Sequence, residues 1–184
     1  MSKTKKLTIS AIMVALSAVL VIISKLIPAP WLQGGSITLA SMVPIIAASI
    51  ILGTKWGVVC GFVFSLIQMM TGFYPPPTQT FLNFLLVVLL DYVIAFGVLG
   101  LAGMFYRMLG KKVWSVTISG VIVTFLRYIC HILSGILIWG VYAEEGQTVL
   151  AYSITYNGSY MIPEIIITGV VLSLISNMIL KQKK

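Results

Sequence analysis

Apolar residues run in long stretches along this chain instead of alternating with polar ones. Six runs stand out: Leu7–Ser24, Ile37–Leu52, Trp56–Phe73, Phe81–Met104, Val113–Trp139 and Met161–Leu180. A helix that crosses a bilayer takes about 20 apolar residues, so the pattern predicts an all-α membrane protein of six transmembrane helices. The punctuation agrees. Pro28 and Pro30 end the first run, because proline disfavours the helical conformation of the residue before it. Gly34-Gly35 precedes the second run, and Gly53 closes it as a helix C-cap. Pro75-Pro76-Pro77 marks a loop, and Gly110-Lys111-Lys112 separates the fourth run from the fifth. No soluble linker or internal repeat interrupts the pattern, so residues 1–184 read as one integral membrane domain.

Composition sharpens this. Of 184 residues, 59% are hydrophobic and only 9% charged, against about 25% charged in soluble domains. A water-soluble globule and a disordered chain are both excluded. Cys60 and Cys130 lie inside apolar runs and read as small packing residues without a disulfide framework. The first run follows basic residues, as in a signal peptide, but it is long and lacks a small-residue cleavage site. It is expected to be a retained helix.

The net charge of +8 comes from short basic groups between apolar runs, not from a nucleic-acid-binding face. Lys3, Lys5, Lys6, Lys55, Arg107, Lys111, Lys112, Lys181, Lys183 and Lys184 all fall on one side of a six-span chain. The positive-inside rule makes that side, with both termini, cytoplasmic. Only Lys25 and Arg127 lie outside this set. The outer side is expected to carry three longer loops rich in aromatic, glycine and polar residues: Pro28–Ser36, Tyr74–Thr80 and Gly140–Tyr160. Binding residues concentrate on such loops, which puts the working site on the outer face of the cell membrane.

An ionisable side chain inside a span costs at least about 2.5–3.5 kcal/mol and needs a reason. Asp91 lies ten residues after Phe81, roughly 15 Å below the outer end of its helix. His131 lies eight residues before Trp139, roughly 12 Å below the outer end of the fifth. Similar depths suggest one cavity. Arg127, His131, Ser134 and Gly135 share one helical face. Trp139 follows nearer the surface, and the loop after it carries Tyr142, Tyr152, Tyr156, Asn157 and Tyr160.

A carboxylate, an imidazole, an amide and several aromatic rings suit a flat, cationic, nitrogen-containing ligand. Aromatic faces attract desolvated cations by up to about 2 kcal/mol each, and a buried carboxylate neutralises charge or accepts from a ring amine. Structural alternatives stand beside this: Asp91 paired with Arg127 to join two helices, His131 as a packing residue, and the tyrosines as an interfacial belt.

Other chemistry is absent from the sequence. Gly110-Lys111-Lys112 lacks the upstream glycine and following hydroxyl of a phosphate-binding loop. One histidine, few acids and scattered cysteines make no metal-ligand set, and no catalytic constellation or cofactor motif is evident. On the first span, Ala11, Ala15 and Ala18 form a stripe of small residues that lets another helix approach closely, inside this bundle or in a partner.

Four segments carry a resemblance: QGGSITL from Gln33, LDYVIAF from Leu90, LRYICHILSG from Leu126 and YSITYNGSYMIPE from Tyr152. Together they resemble the thiamine-specific substrate-binding (S) components of energy-coupling factor (ECF) transporters, over nearly the whole chain. The resemblance implies a prokaryotic six-helix vitamin-uptake protein that captures thiamine from outside. Its implied partners are a transmembrane coupling protein and two ATPase subunits, with Ala11 and Ala15 docking to the coupling protein. It further implies that His131 and Trp139 stack with the thiazolium ring. Asp91, Tyr152 and Asn157 hold the ligand, with Tyr92 beside them. Loop one, with Trp31 and Gln33 to Ser36, including Gly35, forms the lid. The acid before the tyrosine is aspartate here, where glutamate also occurs in the family. A proton-coupled transporter of aromatic cations, an assembly subunit that binds only neighbouring proteins, and an S component for another vitamin remain open alternatives.

Overall fold

In the computed structural model, residues 1–26 and 34–183 are described, and these are all-helical apart from their connections. The expectations placed on Pro28, Pro30, Trp31 and Gln33 fall outside the described residues. Six helical segments follow one another: α1 Lys3–Ser24, α2 Val43–Leu52, α3 Thr54–Gly72, α4 Phe81–Met108, α5 Val113–Leu137 and α6 Val149–Lys183. Five of them are long and apolar enough to cross a membrane, and α2 is the short one. Leu7, Ile12, Leu16, Val19 and Ile22 stand exposed on α1, and Phe62, Leu66, Phe125, Leu133, Ile166 and Leu174 on later helices. Apolar surface of that extent is what lipid covers.

The second run differs from its expected span. Helix begins at Val43, with Pro44 in its first turn, not at Ile37. Thr38 Oγ1 and Ser41 Oγ lie 2.7 Å apart, and Ala40 has φ 58. This local hydroxyl pairing and left-handed residue displace the helix. Every residue of α2 is buried, which accounts for a composition apolar all round. Gly53, at φ 99, closes α2 as expected.

The helices meet where side chains are smallest. A Cβ on Gly61 would sit 2.4 Å from the Phe96 carbonyl oxygen, and one on Gly100 2.2 Å from Val58 N. Glycine is what permits α3 and α4 to touch backbone to backbone. Between them, Ser49 Oγ of α2 donates to Gly100 O at 2.5 Å and accepts from Gly103 N at 2.8 Å. It thereby serves backbone groups where α4 tightens to a 3-10 turn over Val98–Leu101. The α4 segment also contains a π-helical turn, Val88–Val93, which carries Asp91.

The expected outer loop Gly140–Tyr160 is mostly helix. A 3-10 turn covers Trp139–Tyr142, and α6 runs from Val149 with Pro163 inside it. A proline removes one backbone N–H, and bundle neighbours make that tolerable in a membrane helix. Tyr152, Tyr156 and Tyr160, assigned to the loop, are therefore fixed on a helix packed along α5, while Tyr142 ends the 3-10 turn.

Candidate functional site

The chain order sets one end of the bundle apart. The C-terminal ends of α1, α3 and α5 meet the N-terminal parts of α4 and α6 there, around a cavity of about 160 Å³. The inter-helix and terminal basic groups at Lys3, Lys55, Arg107, Lys111 and Lys181 sit at helix ends away from it.

Asp91 is the hub of the cavity wall. Its Oδ1 lies 3.0 Å from His131 Nδ1. Its Oδ2 accepts from Ser134 Oγ at 2.6 Å and from the Trp139 indole N–H at 3.2 Å. Trp139 Nε1 also donates to Ser134 Oγ at 3.1 Å. A carboxylate only accepts, so it takes the Nδ1 proton and leaves Nε2 as the other imidazole position. That Nε2 is buried without a hydrogen-bond partner. The spacing His131–Ser134 puts both on the α5 face that meets α4. Asp91 is thus not paired with Arg127, the alternative the sequence left open. The Arg127 guanidinium instead lies 4.3 Å from the centre of the Phe96 ring, with Nη1 2.9 Å from Met42 Sδ.

Aromatic rings line the remaining wall. Tyr74 tilts against Trp139 with centroids 5.5 Å apart, and Tyr142 stacks on the same indole at 6.4 Å. Tyr152 stacks on Tyr156 at 5.5 Å, and the Tyr152 hydroxyl is buried without a partner. Tyr160 meets the His131 ring edge-on at 6.0 Å. Tyr92 is turned to structural duty: its hydroxyl accepts from Tyr74 N and donates to Gly72 O, both at 3.1 Å. Asn157 faces α5, donating to His131 O at 3.2 Å and Ser153 O at 2.9 Å, and accepting from Tyr160 OH at 2.5 Å.

The last part of the wall is the Gly34–Ser36 strip. Gly34 and Gly35 have φ of 87 and 104, which glycine adopts at no steric cost. A Cβ on Gly35 would come within 2.6 Å of the Tyr160 ring. Tyr156 OH donates to Gly34 O at 2.8 Å.

Of the binding residues expected from sequence, Gly35, Ser36, Asp91, Tyr92, His131, Trp139, Tyr152 and Asn157 all border this cavity, and Trp31 lies outside the described residues. Sequence reasoning missed Tyr74, Gln68 and Thr71, which also border it. Lys25, left over from the basic set, borders the cavity as well, and its Nζ donates to Thr71 O at 2.5 Å. Ala11 and Ala15 are exposed, on a face of α1 beside the one that buries Ser10, Val14, Ser17 and Val21. Packing inside this bundle does not use them.

Residues 7–184 match the family described as Thiamine transporter protein (Thia_YuaJ). The chain belongs to the thiamine transporter protein family. The thiamine transporter ThiT of Bacillus subtilis is 36% identical over 177 residues, covering 90% of this chain and 86% of that protein. ThiT of Lacticaseibacillus paracasei is 31% identical over 96 residues, 47% of this chain and 48% of the relative. A solved structure of ThiT from Listeria monocytogenes superimposes with a TM-score of 0.74 at 22% identity, covering 98% of each chain, and shows the same fold. As a member of a bacterial transporter family with several membrane-crossing helices, the chain is a multi-pass protein of the bacterial plasma membrane and not an enzyme.

Proposed function

We propose that this chain is the substrate-capturing subunit of an ECF-type thiamine importer. It takes thiamine from the outer face into the cavity and delivers it with an ATP-driven partner of one coupling protein and two ATPases. The observation that carries the reading is the Asp91 hub, which binds His131, Ser134 and Trp139 at once. Thiamine joins a cationic thiazolium to an aminopyrimidine. A carboxylate that orients an indole and an imidazole offers that cation both charge and ring faces. The unpartnered His131 Nε2 and Tyr152 hydroxyl are free to meet the polar edge of the second ring. The names of the bacterial relatives, thiamine transporters, support the same ligand.

The basic residues at the helix ends support, by the positive-inside rule, cytoplasmic termini and a cavity that faces outward. The sequence contains no phosphate-binding loop, so uphill movement draws on a partner. The exposed Ala11 and Ala15 supply the close-approach surface for it. Titration of the purified chain should give tight binding of thiamine, but not riboflavin, without nucleotide. Radiolabelled thiamine should accumulate in proteoliposomes only with the partner complex and internal ATP. Accumulation by this chain alone under a pH gradient would overturn the reading in favour of proton coupling.

A further inference from the structure

Glu164 is a buried acid that the cavity chemistry does not use. It is 1% exposed within a helix apolar enough to cross a membrane, where an acid is costly and needs a reason. Arg127 is the opposite charge that acts on it, but the two make no direct ion-pair contact. Among the described residues the ion pair within 4.0 Å is His131–Asp91, and Glu164 Oε2 has no hydrogen-bond partner. Its other oxygen, Oε1, accepts the Thr38 backbone N–H.

Thr38 belongs to the irregular stretch 34–42, whose first residues form a wall of the cavity. Little regular structure supports this stretch. Ala40 has φ 58, a conformation that a residue with a Cβ adopts only at a steric cost. Such a residue persists only where its surroundings hold it. The holding contacts come from side chains. Ser24 Oγ accepts from Leu39 N at 2.8 Å on the α1 side. On the α6 side, Tyr156 donates to Gly34 O, Tyr160 packs on Gly35, and Glu164 accepts from Thr38 N. These three recur every fourth residue, so they form one stripe along α6.

We infer that Glu164 is a positioning residue of the ligand site: by accepting the Thr38 N–H it fixes the 34–42 segment, and with it the Gly34–Ser36 wall, against α6. The role it gives the wall rests on the reading of the cavity as a thiamine site. The need is physical. An N–H in an apolar interior must have an acceptor, and among the described residues Thr38 N donates to no backbone carbonyl. A carboxyl group four residues beyond Tyr160 supplies one.

The test uses Ser36→Cys in the full chain, since Ser36 is exposed while Cys60 and Cys130 are buried. Glu164→Ala should raise the rate at which a water-soluble maleimide labels that position, and weaken thiamine binding, by about tenfold each, the scale of one buried hydrogen bond. Glu164→Gln keeps an acceptor oxygen and should stay close to the parent in both. Unchanged labelling in Glu164→Ala overturns the inference. So does a Gln variant as impaired as the Ala variant, because the charge and not the acceptor would then matter. Should Glu164→Ala fail to fold, amide exchange in the parent decides: Thr38 should exchange more slowly than Gly35 and Ser36, and equal rates overturn the inference. A parent that binds no thiamine removes the functional reading, while labelling and exchange still judge the anchor.

Discussion

Asp91 and Trp139, 48 residues apart in the chain, are joined by an indole N–H···Oδ2 hydrogen bond of 3.2 Å. The contact ties a π-helical turn of α4 to the 3-10 turn that ends α5. One carboxylate therefore sets the attitude of the Trp139 ring as well as that of His131. Charge and shape of the site are in this sense one property.

Asp91→Asn should expose that dependence. An amide offers one acceptor oxygen where the carboxylate serves three donors, so either a contact is lost or His131 must change tautomer, and the negative charge is removed in both cases. A loss of about 1.5–3 kcal/mol in thiamine binding is expected, on the scale of a hydrogen bond to a charged group. Isothermal titration of the purified variant measures it, and affinity equal to the parent would remove Asp91 from the site.

Trp139 contributes a ring and a donor, and two variants separate them. Trp139→Phe keeps an aromatic face and loses the N–H to Asp91. Trp139→Ala loses both, at a cost of about 2 kcal/mol or more. Affinities should fall in the order parent, Phe, Ala. Identical values for Phe and Ala would mean that the ring itself contributes nothing.

The glycine pair offers an internal control. Gly34 and Gly35 both have left-handed φ, so alanine at either is strained. At Gly34 the nearest ring atom, in Tyr74, would be 3.5 Å from the new Cβ, whereas at Gly35 Tyr160 would be 2.6 Å away. Gly34→Ala should cost about 1–3 kcal/mol for backbone strain alone. Gly35→Ala should weaken thiamine binding further by pushing Tyr160 toward His131. Titration of both variants checks the order, and a milder Gly35→Ala contradicts the close packing.

Orientation is open to direct labelling. Thr78→Cys lies in the loop at the cavity end, and Gln182→Cys near the end of α6. In intact cells an impermeant thiol reagent should modify the first and spare the second. The reverse pattern would invert the chain and place the cavity inside.

Ala11→Trp combined with Ala15→Trp should block transport while leaving thiamine affinity nearly unchanged. Both positions are exposed on α1, so bulk there obstructs a neighbour and not the cavity. Uptake into proteoliposomes containing the partner complex, alongside titration, separates the two effects. Uptake at the parental rate would discard this face as the docking surface.

Much of the site was legible because insertion cost marks residues one at a time. Asp91 and His131 stood out in apolar runs, estimated depth put them level, and the structure joins them at 3.0 Å. The face of Arg127, His131 and Ser134 followed from helical spacing. Glu164 escaped the same rule because the sixth apolar run was taken to begin at Met161. A span beginning at Met161 puts Glu164 near the surface, where acids are cheap, whereas α6 begins at Val149 and carries it into the interior. Tyr74 gave no signal, since an aromatic residue beside three prolines reads as an ordinary loop position. The start of α2 was misplaced because Ile37 and Leu39 extend the apolar run without extending the helix. What decides there is hydroxyl pairing between Thr38 and Ser41, which hydropathy does not register.

The shortness of α2 bears on how the protein is made. Ten residues reach about 15 Å, half of a hydrocarbon core of about 30 Å. Such a segment has no stable resting place in lipid by itself. Its surfaces are covered by α1, α3, α4, α5 and α6, the last of these to be synthesised. It follows that α2 settles into place only after α6 has been made, so the cavity wall that hangs from its N-terminal end matures late.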